Sequence, residues 1–453
     1  EQKAAAGGPG QGVPLAGDTV QAPDLALPPP RTRGDAPRWL PTARTAPLVN
    51  CSLHAPMQTD GSSPIPVYFH LPPDLFFGDT QSVPMRVNYR YEARAVAAGS
   101  ALRIVVNGLL VSEIPLPPGT NVRTGKRVVR VPVANLRPFG NTVLFSFDFI
   151  PADLEAVQNG TGPALDGEIA CDSSLDLHGL ARWAPMPNLE LFSNAGFPFT
   201  RSADLSETTV VLPTAPSPAE IGLFLQLMGH FGAQTGYPAL RLSVALPNTV
   251  ISPDRDYLIV GTVANQPAFQ SLDALLPVTL TAKGIAVKPR SGWQAHVSAL
   301  ETAGLNWWAR LRGQPVVEVD PGNPRRIPEA LIEEVQSPVS PQRSIVVVVL
   351  RQDSSADGFA GALIEQSQSH VITGSAALLL DSGFASYPLA GSTYHVGDLS
   401  WLALLREWFV RNYLLLLLGV ALLMLVLGSW VREWLEWRAG QRLKLAQTAD
   451  TEE

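Results

Sequence analysis

The chain has 453 residues, a formal net charge of −7 and 46% hydrophobic residues. That length gives two or three domains cores of their own, and the mild acidity argues against nucleic acid as a partner. The 41 prolines favour sheet edges and extended connections over helical bundles.

Residues 1–45 are rich in Ala, Gly and Pro and read as a disordered linker. Its GGPGQG run has no strand before it and no helix after it, so it is no phosphate loop. With neither an initiator Met nor a signal peptide, the expectation is a chain that begins after processing or mid-protein. The two cysteines, Cys51 and Cys171, bracket one expected domain and read as a disulfide in an oxidising compartment, with two buried thiols as the alternative.

From about 50 to 185 the pattern is strands. Met85, Val87, Tyr89 and Tyr91 alternate with polar residues, and Val143, Phe145, Phe147 and Phe149 alternate with Leu144, Ser146 and Asp148. Leu102, Ile104 and Val106 precede an Asn107-Gly108 turn signal, and Val128, Val131 and Val133 mark another strand. Period-two runs between Gly, Pro and Asn turns predict an antiparallel β-sandwich of jelly-roll type.

After about 205 strands alternate with helices. Thr208–Leu212 reads as a buried strand, and Ser217-Pro218-Ala219-Glu220 as a helix start with a capping box, after which Ile221, Leu225, Met228 and Gly232 share a face. Further strands are expected at Leu242–Val244, Tyr257–Val260, Ile345–Leu350 and Ala376–Leu380, with a helix at Ala356–Gln366. The apolar run at 345–350 is of the kind covered on both faces in parallel sheets, which gives an α/β domain with an open sheet. Residues 280–340, with Trp293, Trp307 and Trp308, read as an irregular insertion.

Leu399, Leu402 and Leu405, broadened by Trp401, Leu404 and Trp408, predict a short amphipathic helix capped by Asp398 and lying in a membrane interface. Tyr413–Val431 carries no charge, is long enough to span a bilayer, and ends on Tyr413 and Trp430 at headgroup level. Arg432, Arg438, Arg442 and Lys444 follow the span and only Arg406 and Arg411 precede it, which places the tail in the cytoplasm and everything upstream outside it.

Catalytic patterns are sparse. There is no G-x-S-x-G elbow, and the seven histidines show no metal-ligand spacing. The acidic pair Asp204/Glu207 could serve acid–base work on a glycan but reads better as a domain-entry turn. Arg123–Arg127 and Asp353–Gly358 match the two halves of a cyclic-dinucleotide string, but lie over 200 residues apart in different expected domains and read as chance. Sugar rings stack on flat side chains. The candidates for carbohydrate contact are Trp183, in a Gly/Pro-rich segment, and Tyr89 and Tyr91, for which core packing competes.

The strings Asn194-Ala195-Gly196-Phe197-Pro198-Phe199-Thr200-Arg201, Ala203-Asp204-Leu205-Ser206-Glu207-Thr208, Gly229-His230-Phe231-Gly232, Thr235-Gly236-Tyr237-Pro238 and Asp256–Gly261, with Leu71–Phe77 and Ser173–Asp176 upstream, are informative together. Over about 50–435 the chain resembles the B-type subunit of bacterial cellulose synthase, the periplasmic, membrane-anchored one. The resemblance implies alternating jelly-roll, carbohydrate-binding-like domains and flavodoxin-like α/β domains, usually two pairs, with this chain matching the second pair. It implies division into a linker (1–45), a jelly roll (46–190), a flavodoxin-like domain (191–395), an interface helix (396–411), a transmembrane helix (412–432) and a cytoplasmic tail (433–453).

The resemblance further implies a bacterial inner-membrane protein with a periplasmic ectodomain. This would be a non-catalytic co-polymerase for the A-type subunit, the UDP-glucose-dependent catalytic component of cellulose synthase. It would guide nascent β-1,4-glucan, in contact with membrane lipid and with further copies of itself. Leu399, Leu402, Leu405, Trp408, Tyr413 and Trp430 would carry partner docking. No cofactor, flavin or dinucleotide site is expected in this chain, since the family's dinucleotide site belongs to the partner. The rival readings are an anchored glycan-binding receptor and a glycan hydrolase.

Overall fold

The computed structural model describes residues 29–30, 36–48, 57–281, 284–287, 328–366, 371–387, 394–411 and 413–449. Two antiparallel sheets form the first domain. In one, β6 (Gly140–Asp148) lies between β1 (Ile65–His70) and β3 (Ala101–Val106), and β4 (Leu109–Pro115) completes it. In the other, β2 (Ser82–Glu92) pairs along its whole length with β5 (Val122–Pro132), and short strands at Gly167–Ile169 and Ser174–Leu175 line its far edge.

The alternation in β2 puts Val83, Met85, Val87, Tyr89 and Tyr91 inward against Phe145 and Phe147 of β6. Each such side chain contributes roughly 1.5–3 kcal/mol by leaving water, and a slip of one residue would forfeit the set. Asn107 (φ 49) and Gly108 (φ 84) make the tight turn between β3 and β4, as an Asn-Gly pair should. In β5 the inward residues are Val129 and Val131. The strand expected at Val128, Val131 and Val133 is β5, although Val128 is 65% exposed on its outer side and Val133 starts the 3-10 turn that follows.

The second domain is built on a seven-stranded sheet with the order β9 (Ser243–Ala245), β8 (Thr208–Val211), β10 (Asp256–Thr262), β12 (Ser344–Leu350), β11 (Ala330–Gln336), β13 (Ala376–Leu380) and β14 (Gly383–Tyr387). The first four are parallel; the last three run antiparallel to their neighbours. The open sheet is therefore mixed. β11 lies inside the stretch expected to be irregular, where its two central glutamates, Glu333 and Glu334, hide a buried strand behind a polar sequence. Trp293, Trp307 and Trp308 lie outside the described residues.

Separate apolar clusters cover the two faces of the sheet, as the unbroken apolar run of β12 requires. Helix α2 (Pro218–Thr235) begins at the expected capping box, but its buried face is Leu223, Leu227 and Phe231. Of the face expected from Ile221, Leu225, Met228 and Gly232, Met228 joins the core while Ile221 and Leu225 are 40% and 60% exposed; both stripes have helical spacing, and the sheet covers the one carrying Phe231. Helix α3 (Ser355–Gln366) packs on the same face.

Ala36, Trp39, Leu40 and Leu48 of the segment 36–48 are buried. Trp39 is 6% exposed, clusters with Ala36 and Ala203, and bridges to His70, while Arg38 N–H donates to the Thr235 carbonyl. This segment thus touches both domains and shortens the expected linker. At the other end α4 (Trp401–Arg411) leads into α5 (Tyr413–Ala449), which continues as helix through the expected tail. The second half of α5 carries Arg432, Glu433, Glu436 and Arg438. Among the described residues no helix is long and apolar enough to cross a membrane.

Candidate functional site at the root of the C-terminal helices

A small antiparallel sheet joins the two domains to the C-terminal helices. Its centre is β7 (Ala181–Met186), flanked by Leu75–Phe76 from the sandwich and by β15 (Tyr394–Gly397), the last strand before α4. The register sets Trp183 opposite Gly397 and Met186 opposite Tyr394. Ala184, Met186, Tyr394 and Val396 pack with Leu191 and Phe197 into a compact apolar cluster. Arg182 Nε donates to Asp74 at 2.6 Å, and Trp183 N–H donates to the Asp74 carbonyl at 2.7 Å. Further out, Arg406 of α4 pairs with Asp79 of the sandwich domain.

Behind β15 lies a buried polar cluster at the amino ends of β8, β10 and β12. Asp256, 1% exposed, accepts from Arg343 Nη1 at 3.0 Å, Arg201 Nη2 at 3.3 Å and the Ser344 N–H at 2.8 Å. Arg343 also pairs with Glu207 at 2.7 Å. The hydroxyls of Ser344 and Tyr394 are 2.5 Å apart. Glu334 accepts from Asn188 N–H at 2.7 Å, which also fixes the start of α1 (Leu189–Ala195).

Burial pushes the Glu334 carboxyl up to about 8, and burial likewise raises the Tyr394 hydroxyl. Burial pushes Asp256 up too, while the two arginines beside it pull the other way. Polar groups this deep are tolerated because Asp256 meets two guanidinium groups and Glu334 a backbone donor.

The opposite end of the parallel strands is where α/β folds receive ligands, at the point where strand order reverses, here between β8 and β10. In this chain Glu220, fully buried, occupies that point. Its carboxylate accepts from Thr262 N–H at 2.9 Å, Asn265 Nδ2 at 3.0 Å and Ser217 N–H at 2.8 Å. Gln266 fills the adjoining space, donating to the carbonyls of Val211 and Val260. An internal carboxylate thus takes the place at the head of α2 that an external anion would need.

The residues singled out for glucan contact are all interior. Tyr89 is 7% exposed, Tyr91 3% and Trp183 5%. Tyr91 donates to the Pro117 carbonyl at 2.7 Å. The Trp183 ring meets Phe76 edge-on at 5.0 Å and lies 6.0 Å from His395, while its Nε1 finds no partner among the described residues. None of the three offers a free face to a sugar, and that expectation is corrected: β7 is a central strand, which its Gly/Pro-rich surroundings did not reveal. A depression of about 460 Å³ at the sandwich edge, lined in part by Ser100, Glu113 and Pro115–Pro118, holds no aromatic ring.

Of the docking candidates, Leu402 is 60%, Leu405 46% and Trp430 64% exposed, with Trp401 at 72% beside them. Leu399 is half-buried. The side chains of Trp408 and Tyr413 lie outside the described residues. Ser400 rather than Asp398 starts the helix, accepting from Ala403 N–H at 3.3 Å. Cys171 is disulfide-bonded, and Cys51, the chain's other cysteine, lies outside the described residues. Asp204 and Glu207 pair with Arg241 and Arg343, as a structural turn requires. Arg123 and Arg127 stand on β5 and Asp353–Gly358 at the head of α3, in different domains.

Sequence reasoning missed Asp256, Arg201, Arg343, Glu334, Tyr394 and Gly397. Four are charged residues within or beside buried strands, and an ionisable residue interrupting an apolar run is the signal that could have found them.

Comparison with known proteins follows these boundaries. Residues 52–174 match the family model for the second CBM domain of cellulose synthase BcsB, and residues 182–348 match the model for its second FD domain. A protein of Xanthomonas axonopodis pv. citri named cyclic di-GMP-binding protein is 30% identical over 95% of this chain, which spans 56% of its length. A protein of Komagataeibacter xylinus whose name is that of a cellulose synthase is 32% identical over 88% of this chain, which spans 27% of it. Among solved structures, a family 35 carbohydrate-binding module from an environmental isolate is 10% identical over 31% of this chain and 90% of its own, with a TM-score of 0.16, too low to carry an argument. The chain belongs to the BcsB family of cellulose synthase.

Proposed function

We propose that this chain is a non-catalytic accessory subunit of a membrane-embedded cellulose synthase. It supports the catalytic subunit through α4 and α5, and its two extracytoplasmic domains guide the nascent β-1,4-glucan. The Tyr413–Val431 stretch of α5 crosses the inner membrane once, with Arg432 and Arg438 on the cytoplasmic side. Cys51 and Cys171 form the disulfide that an oxidising periplasm permits.

The observation that carries this reading is the apolar surface left open on helices rooted firmly in both domains. Trp401, Leu402, Leu405 and Trp430 are exposed in a chain whose cores are otherwise well filled. Covering them would contribute roughly 25 cal/mol for each Å² of apolar surface taken from water. Leu399, Leu402, Leu405 and Trp408 are proposed to meet the catalytic subunit, and Tyr413 and Trp430 to mark the headgroup levels.

The test is glucan synthesis from labelled UDP-glucose in proteoliposomes. These hold only the catalytic subunit, or the same with the full chain, or with a chain ending before Asp398. Synthesis restored only by the full chain is the expected result. Equal synthesis in all three would end the reading.

A further inference from the structure

The contacts around β15 point beyond simple attachment. Gly397 has φ +98, a left-handed conformation, and a Cβ there would lie 2.1 Å from the carbonyl oxygen of Arg182 and 3.0 Å from the Cα of Trp183. Both obstacles are backbone, so no rotamer change relieves the collision; β7 and β15 would have to part. Three residues before Gly397, the Tyr394 hydroxyl reaches Ser344, whose N–H is held by Asp256. Three residues after it, Ser400 starts α4. About a turn and a half into that helix Arg406 returns to Asp79 on the sandwich domain. Over a dozen residues the chain is thus held by the α/β domain, by the interdomain strand and by the sandwich.

We propose that Tyr394–Gly397 is a rigid coupler that fixes the interface helix against both domains, with Gly397 and Tyr394 as positioning residues that set the ectodomain over the polymer's exit. The inference rests on the accessory-subunit reading above. A flexible tether would hold the helices to the body without a residue-to-residue register. A glycine that admits no side chain and a tyrosine whose hydroxyl is buried among charges are costs that only a fixed geometry explains. Displacements of about 1 Å far from the chemistry can lower a rate on the order of 100-fold, so a fixed pose has consequences for synthesis.

The experiment uses the full chain with the catalytic subunit in proteoliposomes and compares wild type, Gly397→Val and Tyr394→Phe. Three quantities are read: co-isolation with the catalytic subunit, kcat and KM for UDP-glucose, and amide hydrogen exchange in β7, β15 and the central strands β10 and β12. For Gly397→Val we expect unchanged co-isolation, lost protection in β15 with β10 and β12 still protected, and a fall of about ten-fold in kcat at constant KM. Tyr394→Phe loses the hydroxyl's buried contacts with Ser344 and with the Val335 carbonyl and should lower kcat by about five-fold or less, again at constant KM.

If β15 loses protection in Gly397→Val and kcat holds, the coupler does not position anything and the inference falls. Loss of co-isolation would also overturn it, since the strand would then serve docking itself. Should the catalytic subunit alone, and with a chain ending before Asp398, match the full chain in synthesis, the accessory-subunit reading fails independently of either variant.

Discussion

The two ends of the parallel strands in the α/β domain have been put to opposite uses. At the carboxyl end, where folds of this class take up ligands, Asn265 bonds Glu220, while Glu220 and Gln266 bond the surrounding backbone. At the amino end, Asp256, Arg201, Arg343 and Glu334 gather around Ser344 and Tyr394, the residue from which the chain departs toward its helices. The same scaffold has a closed ligand end and an elaborated tether end. The difference teaches that a fold's usual binding position is no guide to where its work is done.

The largest effect is expected at the tether end. Asp256→Ala would leave Arg201 and Arg343 facing each other in the interior without their shared carboxylate. Removing one partner of a buried ion cluster costs about 3–5 kcal/mol. A urea titration of the full chain should show the midpoint falling accordingly. A change under about 1 kcal/mol would mean that the cluster is wetter than its 1% exposure indicates. At the carboxyl end Glu220→Ala removes the acceptor for Thr262, Ser217 and Asn265, and water entering the vacated space would satisfy part of what is lost. The expected cost is smaller, about 2–3 kcal/mol. If Glu220→Ala proved as costly as Asp256→Ala, the contrast between a plugged end and a charged keystone would not hold.

The same contrast governs how much was legible in the sequence. The capping box at Ser217-Pro218-Ala219-Glu220 was readable because its partners are three residues apart, and so were the alternating runs of β2 and β6 and the apolar block of β12. The second role of Glu220, sealing the sheet end, needs Thr262, 42 residues on. The tether end is harder still: Tyr394 meets Ser344 across 50 residues, and Asp256 meets Arg343 across 87. Strand β11 was missed because Glu333 and Glu334 break its apolar pattern, and only the tertiary structure shows that both are buried. The glucan-contact reading of Trp183 failed for the same reason, since a tryptophan in a loop-like sequence became the centre of a three-stranded junction.

Glu334 gives the finest test, because its effect depends on pH. Its carboxyl titrates near 8 in the folded chain against an ordinary value of 4.5. Below the ordinary value both states are protonated and the residue costs nothing. As pH rises above it, the unfolded chain releases the proton while the folded chain keeps it, so stability declines up to about 8 and is level beyond. A tenfold difference in proton affinity between the two states is worth about 1.4 kcal/mol, so the decline should amount to a few kcal/mol at most. Glu334→Gln keeps an oxygen for Asn188 N–H and carries no charge, so it should remove this decline while matching wild type at low pH. Urea midpoints from about pH 4 to 9 for the two proteins decide it. Parallel curves would mean that Glu334 is ionised within the cluster, its charge balanced by Arg201, and that the tether end is held by a salt-bridge network throughout.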